Sequence, residues 1–488
     1  MLGVAALGAA GCSPNADEPE KPATGNTSEI AWDKETDVVV VGFGGAGCAA
    51  AIEAADNGAS VILLDKEAVP GGASSINGNV IQAAGTSVQK AAGIEDDADR
   101  WFECLKIAIG DGFKESHMKA LTQQSAQDID WLIDLGAVIP PEIHPTDNRS
   151  IPESGLYFSD ASLELFPSDS ETPRGHTLEG GFLPPLQNGI DAREGIESMV
   201  ETPVNELVTD VEGHVIGVVA ESGGKPMYVK ANKGVIIATG HFSLNESMIS
   251  RYMPWVLTTA GSASAHPSAT GDGHIMCQKV GAELINMGSG TFYQVGVSGF
   301  DTMTEMCAMT VNKHCQRYWS EQGWHNNYRG TYLIEQPDHL GFIIVSENIR
   351  AQFGDLEPDA FNYKGETIEE LANACGLHPQ ALAAAVAKYN QYCEDGVDPE
   401  FGKPAKFLVP LSEGPYYAGQ ASLSWMTSGG MSIDDAGRVL NAEEQPIAGL
   451  YAAGMCAAAY GKLNPGSGLN MAWCIYTGRL AGKSAATA

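Results

Sequence analysis

The stretch TDVVVVGFGGAGCAAAIEAADNGASVILLDK, residues 36–66, decides the fold. The β-branched run at 38–41 predicts a buried strand, and the alanine-rich segment after Gly47 predicts a helix. A second apolar run, at 61–64, predicts another strand and ends at Asp65. Strand, glycine-rich turn, helix and strand in this order predict a parallel βαβ unit that binds a dinucleotide.

Each glycine of this turn has its own physical task. Gly42 makes the tight turn, Gly44 lets the backbone approach a pyrophosphate, and Gly47 lets the helix pack closely on the strand. The helix N-terminus attracts the phosphates. Asp65 is placed to accept a hydrogen bond from a ribose hydroxyl. The alternative is a glycine loop that serves packing alone.

Length and charge limit the class of protein. The chain has 488 residues, which predicts two domains or one domain with an insertion. It carries 61 acidic and 28 basic side chains, for a formal net charge of −33. So much negative charge argues against nucleic acid or anionic lipid as a direct partner.

The first thirty or so residues differ from the rest. An apolar run of small residues ends at Cys12, and a polar stretch without periodicity follows to about Glu29, which predicts a flexible linker. Residues 1–30 are therefore expected to be a signal with a lipobox, followed by this linker. The run is too short to span a bilayer. LGAAGC resembles a lipoprotein signal, although no basic residue precedes it, so we expect the true start upstream. The expectation is an exported protein, at the cell surface or in the periplasm, whose only membrane contact is a lipid anchor at Cys12. The alternative is an unstructured N-terminus.

The ten cysteines form no CxxC, haem or metal-ligand pattern. We therefore predict no metal and no haem. Several cysteines lie in apolar contexts and are expected to be small buried side chains. These are Cys48, Cys104, Cys277, Cys456 and Cys474.

Five blocks of the sequence resemble one family. GGASSINGNVIQAAGT, residues 71–86, is similar to the glycine loop that surrounds the isoalloxazine ring in the fumarate reductase and succinate dehydrogenase flavoprotein superfamily. Its Ala73 and Asn79 depart from the family pattern. The other blocks follow in family order: ETPVNELVTD (201–210), VIIATGHFSLNESM (235–248), SATGDGHIMCQKVGAEL (268–284) and the segment 449–482.

The resemblance implies an FAD cofactor. Members that hold FAD covalently carry a histidine in the glycine loop, and 71–79 has none, so non-covalent FAD is expected. Val204 is implied to meet the adenine, and Asp272 to be the acid that faces the flavin. The full set implied to bind FAD is Gly42, Gly44, Gly45, Ala46, Gly47, Asp65, Lys66, Gly71, Gly72, Ala73, Ser74, Gly78, Asn79, Val204, Ala238, Thr239, Gly240, Asp272, Met426, Gly454, Met455, Gly468, Leu469 and Asn470.

The same resemblance implies the architecture. We expect an α/β protein with a doubly wound, Rossmann-like FAD-binding domain built from both ends of the chain, residues 31–292 and 426–488. An α+β cap domain over 293–425 is expected to be inserted between these two parts.

The substrate blocks depart from fumarate reductases, which hold a dicarboxylate with two histidines and an arginine. Trp425 and Met426 stand at a histidine block, FYQVGVSG (292–299) lacks the other histidine, and NPGSG (464–468) lacks the arginine. Burying two carboxylates without these cations would be very costly. We therefore expect a less charged acceptor, such as an enone, an aryl acrylate or a steroid-like ketone. Its expected lining is Tyr293, Trp324, Trp425 and Met426.

NPGSGLNMAW, residues 464–473, resembles the YPGPG segment of 3-oxosteroid dehydrogenases. In that branch a tyrosine and the N–H group of the last glycine polarise a ketone oxygen. Gly468 is retained here, and Asn464 stands at the tyrosine position. Asn464 is one candidate donor and Tyr460 is a second; alternatively, Asn464 only shapes the turn before Pro465.

VNKHCQRYWSEQGWH, residues 311–325, resembles the block VNxxGxRFxNExxxR. Its last position carries the proton donor, which is arginine in fumarate reductases and tyrosine in 3-oxosteroid dehydrogenases. Here that position is His325, and an imidazole suits proton transfer near neutral pH. Tyr328 and Arg329 are the alternative acids. Arg317 and Glu321 are expected to form a structural ion pair.

The leading hypothesis is an exported, FAD-dependent reductase of an activated C=C bond in a small acceptor. The sequence has no second dinucleotide motif, so a membrane or cytochrome partner is expected to supply electrons. The alternatives are a 3-ketosteroid-like dehydrogenase, a flavoprotein that only transfers electrons, and a lipoprotein without flavin.

Overall fold

The computed structural model describes residues 30–109, 114–141, 174–259, 261–297, 303–321, 326–458, 464 and 468–488. Its strands are β1 (Lys34–Val41), β2 (Val61–Leu64), β3 (Val80–Gln82), β4 (Gly175–Thr177), β5 (Ile196–Met199), β6 (Val204–Thr209), β7 (Val215–Ser222), β8 (Lys225–Ile237), β9 (Gly261–Ala263), β10 (Leu284–Ile285), β11 (Gly290–Val295), β12 (Met309–Asn312), β13 (Gly341–Ser346), β14 (Tyr363–Gly365), β15 (Tyr416–Thr427), β16 (Gly430–Met431), β17 (Arg438–Leu440) and β18 (Pro446–Ala452). Its helices are α1 (Gly45–Asp56), α2 (Ser87–Ala91), α3 (Ala98–Ile109), α4 (Glu115–Asp134), α5 (Leu183–Asp191), α6 (Glu246–Tyr252), α7 (Asp272–Lys279), α8 (Met303–Cys307), α9 (Asn326–Ile334), α10 (Glu347–Phe353), α11 (Ile368–Cys375), α12 (Pro379–Asp395) and α13 (Leu469–Ala486).

The larger sheet has eight strands, and β1 lies near its middle. The order is β17-β18-β8-β1-β2-β5, with β7 paired to β8 and β6 paired to β7. The pairs β18–β8, β8–β1, β1–β2 and β2–β5 are parallel. All four valines at 38–41 are buried, as expected for a parallel strand covered on both faces.

Helices α1 and α13 bring the two ends of the chain together. A Cβ atom at Gly478 would lie 2.5 Å from the Ala46 carbonyl oxygen, and one at Gly482 would lie 2.3 Å from that of Ala50. Side chains at these two positions would force the helices apart. The C-terminal helix therefore packs directly on the helix that follows the glycine turn.

The smaller sheet has six strands, in the order β11-β15-β13-β12, with β14 and β9 also paired to β15. Each of the strands β11, β12, β13 and β14 pairs antiparallel with a neighbouring strand. This sheet and helices α8, α10, α11 and α12 enclose a separate apolar core, which includes Phe342, Ile344, Leu371 and Tyr389. The segment is thus an α+β unit with its own core.

A third apolar cluster lies where the two sheets meet. It contains Phe242 and Met253 from the larger unit together with Phe292, Tyr318 and Trp425. Trp425 is only 7% exposed and lies on the opposite face of β15 from Met426. This corrects the expectation that Trp425 lines the acceptor site, because its ring fills the core instead.

The observed architecture confirms the predicted α/β class with a doubly wound, largely parallel sheet. The smaller sheet extends from Gly290 to Thr427, apart from the short strand β9. The boundaries proposed for the cap, 293 and 425, stay predictions.

Candidate active site

A cleft opens at the carboxyl ends of β1, β2 and β8, where parallel α/β sheets bind nucleotides. Its volume is about 1310 Å³ including the open mouth. The predicted FAD residues that line it are Gly42, Gly44, Gly45, Ala46, Asp65, Lys66, Gly72, Ala73, Ser74, Val204, Ala238, Thr239, Gly240, Asp272 and Met455. Residues that line it and were not predicted include Thr202, Asn205, His241, His266, Ser268 and Cys474.

The glycine turn is built for close approach of a ligand. Gly42 has φ +109°, and a Cβ there would lie 2.4 Å from the Ala238 carbonyl oxygen. A Cβ at Gly47 would lie 1.7 Å from the Gly42 carbonyl oxygen. At Gly44, by contrast, a Cβ would make only ordinary van der Waals contact, 3.6 Å from the Gly71 carbonyl oxygen, and this glycine lines the cleft. The turn therefore has room for a pyrophosphate against the backbone.

Asp65 orders the turn from the end of β2. Its Oδ2 accepts a hydrogen bond of 2.6 Å from the Phe43 N–H group, and its Oδ1 accepts one of 2.8 Å from the Glu67 N–H group. Each carboxylate oxygen can accept a second bond, so a ribose hydroxyl can still bind. Asp65 thus supports the loop in addition to the role predicted for it.

Lys66 and Asp272 form an ion pair that crosses the cleft. The Lys66 Nζ donates to Asp272 Oδ2 at 2.7 Å and to Thr270 Oγ1 at 2.6 Å, and Thr270 Oγ1 donates to Asp272 Oδ1 at 2.9 Å. The pair connects the end of β2 to the start of α7. The acid predicted to face the flavin is therefore neutralised by the lysine predicted to bind beside it.

The other predicted FAD residues do not line the cleft; they are Gly47, Gly71, Gly78, Asn79, Met426, Gly454, Gly468, Leu469 and Asn470. Gly71 still supports the cleft, because its N–H group donates to the Phe43 carbonyl at 2.9 Å. Gly454 lies behind it, where a Cβ would approach Ala46 to 2.7 Å. Asn79 lies beside β4, where its carbonyl accepts from Leu178.

Four residues form a hydrogen-bonded group at the start of α13. The Asn464 Nδ2 lies 3.4 Å from both Thr291 Oγ1 and Asn470 Oδ1, and the Asn470 Nδ2 lies 3.5 Å from Met426 Sδ. Asn464 is 3% exposed. Gly468 begins α13 with φ +93°, and its carbonyl accepts from Gln82 at 3.3 Å. This group is uncharged and joins β11, β15 and α13.

The cap contains a buried set of four charges, which we name the cap charge cluster: Arg317, Glu321, Asp398 and Lys403. Arg317 Nη2 lies 2.8 Å from Glu321 Oε2 and 2.9 Å from Asp398 Oδ2, and Lys403 Nζ lies 3.4 Å from Glu321 Oε2. None of these side chains is more than 4% exposed. The predicted Arg317–Glu321 ion pair is present and is half of a larger unit.

The proton-donor candidates lie next to this cluster in sequence. His325 and Trp324 fall outside the described residues, as do Cys12, Tyr460 and Pro465. Tyr328 and Arg329 belong to α9, and their side chains are outside the described part. The choice among His325, Tyr328 and Arg329 therefore stays a prediction.

His241 is a cleft residue that the sequence analysis did not single out. It follows Gly240 directly after β8, lines the cleft and is 2% exposed. Burial lowers the pKa of its imidazole to about 4, so the ring is neutral. The signal that could have found it is the histidine in ATGH, where the family block has glycine.

The remaining observations concern cysteines, metals and membranes. The five cysteines predicted to be buried are buried, and none is bonded to another in the described ranges. Asp210, Glu212 and His214 come together in the turn between β6 and β7, where Asp210 accepts from the N–H groups of the other two and shapes the turn. Among the described residues, no helix is both long and apolar enough to span a bilayer.

Comparisons with known proteins identify the family. The probable fumarate reductase Ifc3 of Shewanella frigidimarina is 30% identical over 468 residues, 92% of this chain and 75% of that protein. Urocanate reductase of Eggerthella lenta is 30% identical over 479 residues, 93% of this chain and 75% of that protein. The crystal structure of 3-ketosteroid-Δ4-(5α)-dehydrogenase from Rhodococcus jostii RHA1 superimposes with a TM-score of 0.81 at 29% identity, covering 94% of this chain and 98% of that one.

Fold and cleft together define an FAD-dependent oxidoreductase of the class that acts on CH–CH groups. Residues 37–471 match the family described as FAD binding domain, and the chain belongs to that family. The residues present fit the cofactor, because Gly44 and Gly45 at the start of α1 line the cleft together with Val204 and Ser74.

Proposed function

We propose that this protein reduces an activated C=C bond in a small organic acceptor that is not a dicarboxylate, with FAD bound non-covalently. The printed names of two similar proteins, a probable fumarate reductase and urocanate reductase, support reduction of such bonds. The reduced flavin supplies the hydride. The rest of the proposal concerns the residues of this chain.

The observation that carries the proposal is the absence of an available cation on the acceptor side, within the part of the chain that the structure describes. Met426 occupies the position of a substrate histidine, and its sulfur contacts the Asn470 amide. Two cations of the cap, Arg317 and Lys403, are buried in ion pairs with Glu321. Without the two histidines and the arginine that hold a dicarboxylate in fumarate reductases, burying two carboxylates would be very costly.

We assign proton delivery to His325, with Tyr328 and Arg329 as alternatives. Hydride arrives at one alkene carbon, so the neighbouring carbon needs a proton from the protein. The Arg317–Glu321 pair holds the segment that leads to residue 325. The uncharged group of Asn464, Thr291 and Asn470 fixes the strand ends beside α13.

A separate electron donor, in the membrane or a cytochrome, completes the proposal. The support is that the sequence carries one dinucleotide motif, which FAD occupies. The LGAAGC segment supports export and a lipid anchor at Cys12. Retention in a detergent phase that is lost in a Cys12→Ala variant tests the anchor.

The test compares fumarate with its dimethyl ester, which keeps the alkene and removes both charges. Viologen-reduced, FAD-loaded protein is mixed with each compound, and reoxidation of the dye is followed. We expect the ester to be reduced at least ~10-fold faster, because each unpaired buried carboxylate costs several kcal/mol. Faster turnover of fumarate would contradict the proposal. Screening aryl acrylates and cyclic enones then defines the acceptor.

A second candidate is a 3-ketosteroid-like dehydrogenase that removes hydrogen from a ketone substrate. The observation that favours it is the TM-score of 0.81 with the Rhodococcus enzyme. Forward and reverse rates on one enone and its saturated ketone separate the two. Rapid electron transfer between dyes, with no turnover of any alkene or ketone, would instead indicate an electron-transfer flavoprotein.

A further inference from the structure

His241 has one ring nitrogen with a partner and one without. Its Nδ1 lies 2.7 Å from Ser243 Oγ. Its Nε2 is buried and has no hydrogen-bond partner among the described residues. Buried polar nitrogens are nearly always paired, so this one needs an explanation. The residue lines the FAD cleft, which is the place from which a ligand could supply the partner.

The hydrogen bonds around Ser243 favour one position for the proton of the His241 ring. The Thr427 N–H group donates to Ser243 Oγ at 2.9 Å, so the hydroxyl proton remains to be donated. It can go to His241 Nδ1 at 2.7 Å or to Thr427 Oγ1 at 3.3 Å. The shorter contact favours His241 Nδ1 as the acceptor. The proton of the neutral ring then lies on Nε2, which becomes a donor.

No described residue lies within hydrogen-bonding distance of His241 Nε2. His274 uses its Nε2 on the Gly429 carbonyl at 3.1 Å, and His266 pairs its Nδ1 with Ser268 at 2.8 Å. The carboxylate of Asp272 is held by Lys66. Within the described structure, a donor at His241 therefore remains for whatever fills the cleft.

We propose that the Nε2–H group of His241 donates a hydrogen bond to the bound FAD, with Ser243 and Thr427 orienting the ring. FAD has acceptors along its whole length: phosphate oxygens, ribose hydroxyls and the isoalloxazine carbonyls. Because Thr427 is the last residue of β15, the same bonds connect FAD binding to a strand of the cap sheet. The inference requires FAD as cofactor and is independent of the acceptor.

The test measures the dissociation constant of FAD by fluorescence titration of apo-protein. His241→Phe removes the donor. We expect the dissociation constant of FAD to rise at least about 10-fold, because the FAD atom that accepted the bond is left buried without a partner. His241→Gln keeps an amide donor at a similar reach, and we expect affinity within ~3-fold of wild type. Ser243→Ala removes the orienting hydroxyl and is expected to weaken binding less than His241→Phe.

His117→Phe is the matched control, because His117 is also buried but does not line the cleft. It is expected to lower stability and leave FAD affinity unchanged. Repeating the titrations with ADP and with FMN shows which half of FAD accepts the bond. Weaker binding of either compound to His241→Phe than to wild type supports the inference. Equal FAD affinity of His241→Phe and wild type would overturn it, as would an equal loss in His117→Phe. Failure of every acceptor in the alkene screen would not change this result.

Discussion

At the scale of single residues, proton delivery depends on the identity of the acid at position 325. An imidazole gains and loses charge near neutral pH, whereas a guanidinium stays protonated and a phenol stays neutral. A histidine at this position could therefore release and regain a proton near neutral pH.

We predict that His325→Phe lowers turnover by roughly 10²–10⁴-fold, the usual contribution of a general acid. FAD content should be unchanged, because 325 is outside the FAD blocks. Stopped-flow reoxidation by the best acceptor measures the effect. Tyr328→Phe and Arg329→Met are made in parallel, and a larger loss in either one than in His325→Phe would move the assignment to that residue.

Residues of the cofactor turn could be predicted from sequence because their roles are local. Gly42 and Gly44 serve a turn of a few residues, and the chain itself brings them together. The donor role of His241 could not be predicted in this way. It depends on Ser243 and on Thr427, which is 184 positions from Ser243 in the chain.

At the scale of elements, the cap charge cluster connects three segments: the strand β12 with its following turn, the end of α12 and the loop at 398–403. Besides Glu321, the Lys403 Nζ reaches the Ala308 carbonyl at 2.7 Å and the Tyr389 hydroxyl at 2.8 Å. Burial opposes ionisation of Glu321, but the charges of Lys403 and Arg317 outweigh it and lower the pKa of Glu321 to about 2. The two cations and two anions of the cluster balance, so loss of any single member leaves a net charge.

Lys403→Met should destabilise the cap by roughly 3–5 kcal/mol, because it leaves a buried carboxylate undercompensated. Lys388→Met is the control: this lysine pairs with Glu400 but its side chain is 56% exposed, so we expect a change within about 1 kcal/mol. Urea unfolding followed by near-UV circular dichroism measures both. Equal decreases in the free energy of unfolding of the two variants would show that the cluster does not stabilise the cap.

Only the Arg317–Glu321 half of this cluster could be predicted, since its members are four positions apart. Asp398 lies 81 positions from Arg317, and its part in the cluster follows from how α12 and the next loop pack on β12. The spacing of these residues in the sequence does not indicate that contact.

At the scale of the whole molecule, three buried histidines make the fold sensitive to acid. Burial lowers the pKa of His176, His241 and His274 to about 4 each, from an ordinary value of 6.5. Between these values the unfolded chain binds protons that the folded chain does not. The stability from keeping these rings neutral is therefore complete above pH 6.5 and is lost as the pH falls towards 4.

We predict that apo-protein loses stability between pH 7 and pH 4.5, by about 1–3 kcal/mol for each of these histidines. Carboxylates titrate in the same pH range, so the quantity to compare is the difference in free energy of unfolding between a histidine variant and wild type. The difference in free energy of unfolding between His274→Gln and wild type should become smaller as the pH falls. His314→Gln, at an exposed position, should show no such change. Denaturant midpoints at four pH values measure this, and a gap that stays constant for His274→Gln would contradict the prediction.

The sequence by itself determined the parallel sheet, the glycine turn and the FAD family, because these depend on short-range patterns and on motifs in a fixed order. The tertiary structure decided the rest. It paired Lys66 with Asp272, 206 positions apart, and turned Trp425 into the core behind Met426. The physical reason is the same in both cases: a side chain's partner is set by which distant elements pack together, and local patterns do not specify that packing.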